Sequence, residues 1–421
     1  MVNVANEDWF NARDLKQAMA LINADGGEGR IAGGAVRNSL MKIAIADVDL
    51  ATTLKPEEVM ERAKAAGIKA IPTGIEHGTV TLVIDGRPFE VTTLRRDVTT
   101  DGRRAEVAFT DDWQEDASRR DLTINGLYAD AKGEVIDLVG GLADIETRTV
   151  RFIGDAETRI REDYLRILRY FRFFAFYGSG RPDAGALKAM AREKDGLKRL
   201  SAERVWSELK KLLSADDPGR ALLWMRTAGI LTLILPETEK WGIDEVPALI
   251  AAERAFGWKP DPLLRLAAIV PPDAERLAAM ADRLRMSRQE ADFLGQWASS
   301  PAIPENVAVT AFRRMLYRTG KAGAIVRLKL QLAIARAKAE GDVALMAEVG
   351  RLSALLKEAD TWGKPVFPLT GLDVIAKGIA PGPRVGEILS VLEEEWVAGD
   401  FNADRSALLA RLEALITAPS S

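Results

Sequence analysis

The feature that most limits how this chain can fold is a change of periodicity near Phe152. Before it, short stretches alternate apolar and polar residues, as in Thr79-Val80-Thr81-Leu82-Val83-Ile84, the mark of a half-buried strand. After it, apolar residues recur at helical spacing and strand-type alternation almost vanishes. The expected fold class is therefore α+β, an α/β head followed by an all-helical remainder. A chain of 421 residues also exceeds what one hydrophobic core supports. Breaker runs such as Gly178-Ser179-Gly180, Asp216-Asp217-Pro218-Gly219, Pro260-Asp261-Pro262 and Gly363-Lys364-Pro365 divide the helices. They suggest a head at 1–150, a helical neck at 151–258, a body at 259–362 and a tail at 363–421.

Within the head, Arg30-Ile31-Ala32 reads as a strand end that runs into Gly33-Gly34. Lacking Cβ atoms, a glycine pair lets the backbone turn tightly and approach a ligand. The amides that follow would open a helix, where unpaired N–H groups attract phosphate. Asp47-Val48-Asp49-Leu50-Ala51-Thr52 then alternates like a strand, which points both carboxylates to one face. Two like charges held so close call for a cation. Hard oxygen ligands beside a phosphate cradle suit Mg²⁺, which takes one or two carboxylates plus substrate phosphates. A hairpin is expected at Thr79–Ile84 and Phe89–Thr93 around Asp85-Gly86. It would bring Glu90 near the aspartates as a third carboxylate, or leave it on the polar side of a half-buried strand. Alone, these features also fit an ordinary turn followed by two exposed aspartates.

Composition narrows the chemistry. There is no cysteine, hence no disulfide, thiolate metal site or cysteine nucleophile, and the single histidine, His77, precludes a multi-histidine metal site. His77 is expected to be structural or close to phosphate. No run approaches the roughly 20 apolar residues of a membrane span, and the first residues do not resemble a signal peptide. A reducing cytoplasm fits, and no Walker P-loop is present. The net charge is −4, from 58 basic and 62 acidic residues. Yet Phe312–Lys338 holds eight basic residues and no acidic one, and Arg159–Tyr177 holds five arginines against Glu162 and Asp163. Such runs are commonly solvated helix faces, but two of them make a folded polyanion a plausible partner. Arg95 to Ala117 is crowded with charge, lacks clear periodicity and reads as a long functional loop.

The last cluster is Arg161-Glu162-Asp163-Tyr164-Leu165-Arg166. Asp163 and Arg166, three apart, would be neighbours on a helix face and could simply form a salt bridge. Their inventory allows more, since a carboxylate only accepts and a guanidinium only donates. Cytosine N4 and adenine N6 both donate, each beside a ring-nitrogen acceptor, so one Asp–Arg pair can serve both and oppose G and U.

Together these residues resemble the class II tRNA nucleotidyltransferase and poly(A) polymerase family. Gly33-Gly34-Ala35-Val36-Arg37 with Asp47 and Asp49 is similar to its nucleotidyltransferase motif. Arg119-Arg120-Asp121-Leu122-Thr123-Ile124-Asn125 is similar to its ribose and phosphate motif, and Glu162-Asp163-Tyr164-Leu165-Arg166 to its amino-acid template. Leu200–Leu209 resembles its neck motif. The resemblance covers about residues 28 to 210 and implies a polymerase beta-like head. It implies that Asp47 and Asp49 hold metal, that Gly33, Gly34 and Arg37 take the triphosphate, and that Asp121 reads ribose beside Arg120 and Asn125. It implies that Asp163 and Arg166 pair with the base, and that the Arg95–Ala117 loop helps switch from CTP to ATP. Where the family usually has Asp, this chain has Asn38, which keeps an acceptor oxygen without the charge. The implied activity is CCA addition to tRNA from CTP and ATP, with Arg313, Arg314, Arg318 and Lys321 as candidates for gripping tRNA phosphates. A poly(A) polymerase, or a non-catalytic RNA-binding protein of the same fold, stands as the alternative, and oligomeric state is not legible.

Overall fold

A computed structural model of the chain describes residues 2–100, 105–239, 241–339 and 342–417. The main sheet grows from β1 (Gly29–Ala32), β2 (Asp49–Thr52), β3 (Lys69–Gly74), β4 (Thr79–Ile84), β5 (Arg87–Thr93), β8 (Leu127–Ala129) and β9 (Val135–Asp137). Its order is β3-β4-β5-β2-β1-β8-β9, and a separate hairpin pairs β6 (Arg95–Thr100) with β7 (Ala105–Phe109). Every described pairing in the main sheet is antiparallel except β2 with β5. That parallel register sets Leu50 beside Val91 and Ala51 beside Thr92, so one step back Asp49 neighbours Glu90. Leu50 and Val91 are each 1 % exposed, and burying side chains of this size stabilises by about 1.5–3 kcal/mol apiece. Because strand faces alternate, burying these two turns the two acids outward.

Local chemistry explains the elements. The β4–β5 turn places Asp85 and Gly86 at φ +50° and +81°, the left-handed pair that a two-residue hairpin requires. Helix α1 (Arg13–Ile22) buries Leu15, Ala18, Met19 and Ile22, α2 (Gly34–Leu40) follows the glycine turn, and α3 (Pro56–Ala65) starts with proline at its first position. Much of the charged stretch expected to be a loop has regular structure; its residues 101–104 lie outside the described residues. It forms β6 and β7 and then α4 (Trp113–Ser118), whose cap Asp112 accepts from the Gln114 amide at 2.7 Å. Trp113 and Ala117, four apart, sink into a cluster with Ala32, Ala51, Leu94 and Tyr128. The periodicity is therefore present, hidden under the acidic residues between.

After α5 (Gly141–Glu146) come α6 (Ala156–Glu162), α7 (Leu165–Tyr177), α8 (Ala184–Glu193), α9 (Ala202–Leu213) and α10 (Gly219–Thr227). The glycine and Asp-Pro breakers fall in the gaps between α7 and α8 and between α9 and α10. The chain divides into two compact units, Met1–Pro236 and Glu237–Ser421. The second is helical and contains two apolar clusters, one around Phe312, Leu328 and Leu352, the other around Leu392, Trp396 and Leu412. The helix Val246–Phe256, which the sequence groups with the neck, packs on Ala322–Lys338 of this second unit.

Candidate active site

A cleft of about 480 Å³ opens in the first unit, lined by Gly33, Gly34, Arg37, Asp49, Glu90, Arg120, Asp121, Asn125, Asp163 and Arg166 among others. All eight nucleotide-binding residues expected from the sequence thus line one cavity together with Asp49 and Glu90, while Asp47 is not among its lining residues. Strand β2 begins at Asp49, two residues later than the alternation suggested, so Asp47 lies in the extended lead-in. Val48 between them is buried while both aspartates are exposed. Burial, then the negative charges of Glu90 and Asp47, push the Asp49 carboxyl above the ordinary range, with Arg120 opposing. Solvent reaches Asp49 through the cleft mouth even though protein surrounds the carboxyl on its inner side. Excess negative charge of this kind suits a hard cation. Among the described residues no three acidic, histidine or cysteine side chains gather as a metal-binding cluster. Glu90 stands beside Asp49 and adds to the negative field on its carboxyl.

Gly33 turns the chain at φ +54°. A Cβ there would come within 3.0 Å of the Asn125 carbonyl oxygen and 3.4 Å of an Arg120 nitrogen, so the close approach excludes a larger residue. Arg37 follows on α2, 7 % exposed. Its guanidinium donates to the Asn38 side-chain oxygen from Nε and Nη2 at 3.1 and 2.9 Å, to the Tyr177 hydroxyl at 2.8 Å, and to Asn125 Oδ1. All these partners are neutral. Burial lowers the Arg37 pKa, yet a guanidinium stays charged in proteins. Asn38 also donates to the Ala44 carbonyl at 3.0 Å, so amide chemistry at this position ties the end of α2 to the segment beyond it.

The ribose motif is held by groups the sequence did not single out. Asp121 accepts from Arg169 Nε at 2.7 Å, from Asn125 at 3.0 Å and from the Leu122 amide at 2.9 Å. Burial alone would raise its pKa, but Arg169 and these donors bring it below the usual carboxylate range. Asp116, 2 % exposed, accepts from Arg119, Arg120, the Tyr128 hydroxyl and the Arg95 amide. Burial opposes ionisation there too, and Arg120 and Arg119 outweigh it. One carboxylate thereby joins the foot of the β6–β7 hairpin to the Arg119-Arg120-Asp121 run. Neither residue was visible as functional, although Arg166, Arg169 and Phe173 share helical spacing on one face of α7.

Asp163 and Arg166 both line the cleft, but they do not form the helix-face pair their spacing suggested. Asp163 ends α6 in an extended conformation, and its Oδ1 accepts from the Leu165 amide at 3.0 Å. Its Oδ2 accepts from Arg204 at 2.7 Å. Arg166 bonds Glu162 and the Arg159 carbonyl instead. Arg159 in turn bonds Glu162 at 2.6 Å and the Arg120 carbonyl at 2.7 Å, which ties this turn to the ribose motif.

Residues 29–151 match the family model described as "Poly A polymerase head domain", and 182–241 match "Probable RNA and SrmB- binding site of polymerase A". A mouse protein named "CCA tRNA nucleotidyltransferase 1, mitochondrial" is 36% identical over 411 residues, 95% of this chain and 89% of its own. The chain belongs to the CCA tRNA nucleotidyltransferase family. An Enterococcus faecalis CCA-adding enzyme is 31% identical over 407 residues, covering 92% of both chains. The crystal structure of the Bacillus stearothermophilus CCA-adding enzyme in complex with CTP superposes with a TM-score of 0.71 at 27% identity, covering 96% of this chain and 97% of that one.

The sequence offers Arg313, Arg314, Arg318 and Lys321, all in the second unit, as candidates for contacting RNA phosphates. Three of the four candidates there are engaged locally. Arg313 pairs with Glu358 and Arg314 with Asp400, each at 2.7 Å, and Lys321 donates to the Asp360 and Trp362 carbonyls at 3.1 Å. Arg318 is exposed. His77 is exposed and contributes its backbone carbonyl, which accepts from Arg95 at 2.7 Å. Among the described residues no helix is long and apolar enough to cross a membrane.

Proposed function

We propose that this chain adds C, C and A to the 3′ end of tRNA from CTP and ATP, without a nucleic-acid template. One observation carries the reading. A single cleft joins an acidic edge at Asp49, a buried guanidinium with neutral partners at Arg37, and the donor–acceptor couple Arg166 and Asp163. Arg166 and Tyr177, the latter touching Arg37, lie eleven residues apart on α7, a rise of about 16 Å. Anion and base sites are thus held by the two ends of one helix.

Members of this family generally use a divalent metal, and Mg²⁺ is our assignment. Asp47 and Asp49 are the residues that would hold it, a fit supported by the oxygen donors and by the charge crowding at Asp49. Bound there, divalent ions would activate the RNA 3′-hydroxyl and neutralise the departing pyrophosphate. The chain's own residues do the rest by positioning and charge. Arg37 places the triphosphate. Asp121, its orientation fixed by Arg169 and Asn125, accepts from the ribose hydroxyls. Asp163 has both oxygens engaged, yet a carboxylate offers about four acceptor sites, so it can still take the amino group of C or A while Arg166 donates to the ring nitrogen. Backbone phosphates of the tRNA fix register without reading sequence, and in the second unit this role is assigned first to Arg318. The proposed location is the cytoplasm.

Extension of a tRNA lacking its last three nucleotides tests the reading. CTP and ATP together should restore C-C-A and then stop. Long A tracts from ATP alone would identify a poly(A) polymerase, and binding without incorporation would identify a non-catalytic protein.

A further inference from the structure

Helix α7 carries Arg166, Arg169, Phe173 and Tyr177 at i, i+3, i+7 and i+11, one stripe along one face. The first three line the cleft. Tyr177, the last residue of the helix, is set apart from the nucleotide motifs in sequence, 140 positions from Arg37. Its hydroxyl accepts from Arg37 Nη2 at 2.8 Å, and its ring lies under the guanidinium with the carbon 4.0 Å from the ring centroid. Phe173 stacks on the Tyr177 ring at 5.6 Å and stands 5.2 Å from the same guanidinium.

A buried guanidinium is ordinarily steadied by a carboxylate, which cancels its charge as it fixes its geometry. Among the described residues every hydrogen-bond acceptor of the Arg37 guanidinium is neutral: Asn38, Asn125 and Tyr177. We infer that Tyr177 is a positioning residue for the triphosphate, holding the Arg37 guanidinium at the cleft wall without neutralising it. Asn38 serves the same end, for it supplies the oxygen that an aspartate would and withholds the charge. The charge, without a directly bonded carboxylate, is then met by the polyphosphate of the nucleotide, and afterwards by released pyrophosphate. Because the hold acts on phosphate, it is blind to the base. The inference rests on the nucleotide reading of the cleft given above.

The test uses the full-length protein with Tyr177→Phe, which keeps the ring and removes the hydroxyl. KM for CTP and for ATP should rise together, roughly three- to tenfold, the range of one lost hydrogen bond. The inhibition constant of pyrophosphate should rise by the same factor, while preference between CTP and ATP stays as it is. A purely structural tyrosine would lower the melting temperature and leave pyrophosphate inhibition unchanged, and that result overturns the assignment. Should the Phe variant fail to fold, Asn38→Asp tests the claim at a half-buried position of nearly identical shape. It must weaken pyrophosphate inhibition, and unchanged inhibition overturns the account. Asp49→Asn is run alongside. If it still incorporates nucleotide, the reading of the cleft fails; if it is inactive while Tyr177→Phe binds pyrophosphate normally, only the role of Tyr177 fails.

Discussion

In the helical second unit, Arg265 is 1 % exposed and its guanidinium meets the Glu253 carboxylate at 2.6 Å, with Glu253 itself 4 % exposed. In the first unit Arg37 is 7 % exposed, and its hydrogen bonds go to two amides and a phenol. Both guanidinia are buried and both are held by several bonds. Among the described residues only the first has a carboxylate in direct contact; the nearest carboxylate acting on Arg37, Asp121, does so through Asn125. Burying an uncompensated charge is costly, so a protein that keeps one at a cleft wall is arranged for an anion that comes and goes. The same contrast divides the carboxylates. Asp121 and Asp116 sit on arginines and ionise readily, whereas Asp49 is crowded by Glu90 and Asp47. Paired charge builds the scaffold, and in the proposed reading the charge of each sign that lacks a direct counter-ion is what meets metal and polyphosphate.

Breaking the structural pair should have the largest effect on stability. Glu253→Ala removes a carboxylate paired with the buried Arg265 and should cost about 3–5 kcal/mol in chemical denaturation, with nucleotide KM unchanged in whatever remains folded. Asp49→Asn should do the reverse. Nucleotide incorporation should fall by roughly 10²–10³-fold, the scale seen when a preorganised charge is lost from an active site, while the denaturation midpoint holds or rises.

The sequence made one side of this contrast visible and hid the other. Gly33, Asp49 and the Asp85-Gly86 turn announce themselves because their constraints are local: a positive φ, a strand face, a two-residue hairpin. Arg169 and Tyr177 act on partners that only folding brings near, 48 residues away for Arg169 with Asp121 and 140 for Tyr177 with Arg37. Asp163 and Arg166 were recognisable as a couple but mistaken in geometry. Helical spacing assumes a continuous helix, and Asp163 breaks it by turning extended at the end of α6. The Arg95–Ala117 stretch looked like a loop because its charges mask the buried Trp113 and Ala117.

Two smaller effects sharpen the comparison further. Arg166→Ala should relax the choice of base by about 1–3 kcal/mol of discrimination, read as misincorporation of UTP or GTP. Unchanged selectivity would remove Arg166 from base reading. The smallest effect concerns acid. The Asp121 pKa is lowered in the folded state, so its stabilising contribution is complete above the ordinary carboxylate value near 3.9 and is lost as pH falls below it. Arg169→Met should therefore narrow the stability difference from the parent as pH drops from about 5 toward 3, and leave its size constant between pH 6 and 8. Denaturation midpoints across that range provide the check.

The most direct measurement is the electron density of the protein soaked with CTP and a divalent ion. The account predicts the triphosphate against Arg37 with the ion at Asp47 and Asp49, and the cytosine edge on Asp163 and Arg166. A nucleotide bound with its base at Arg37, or bound outside this cleft, would contradict it.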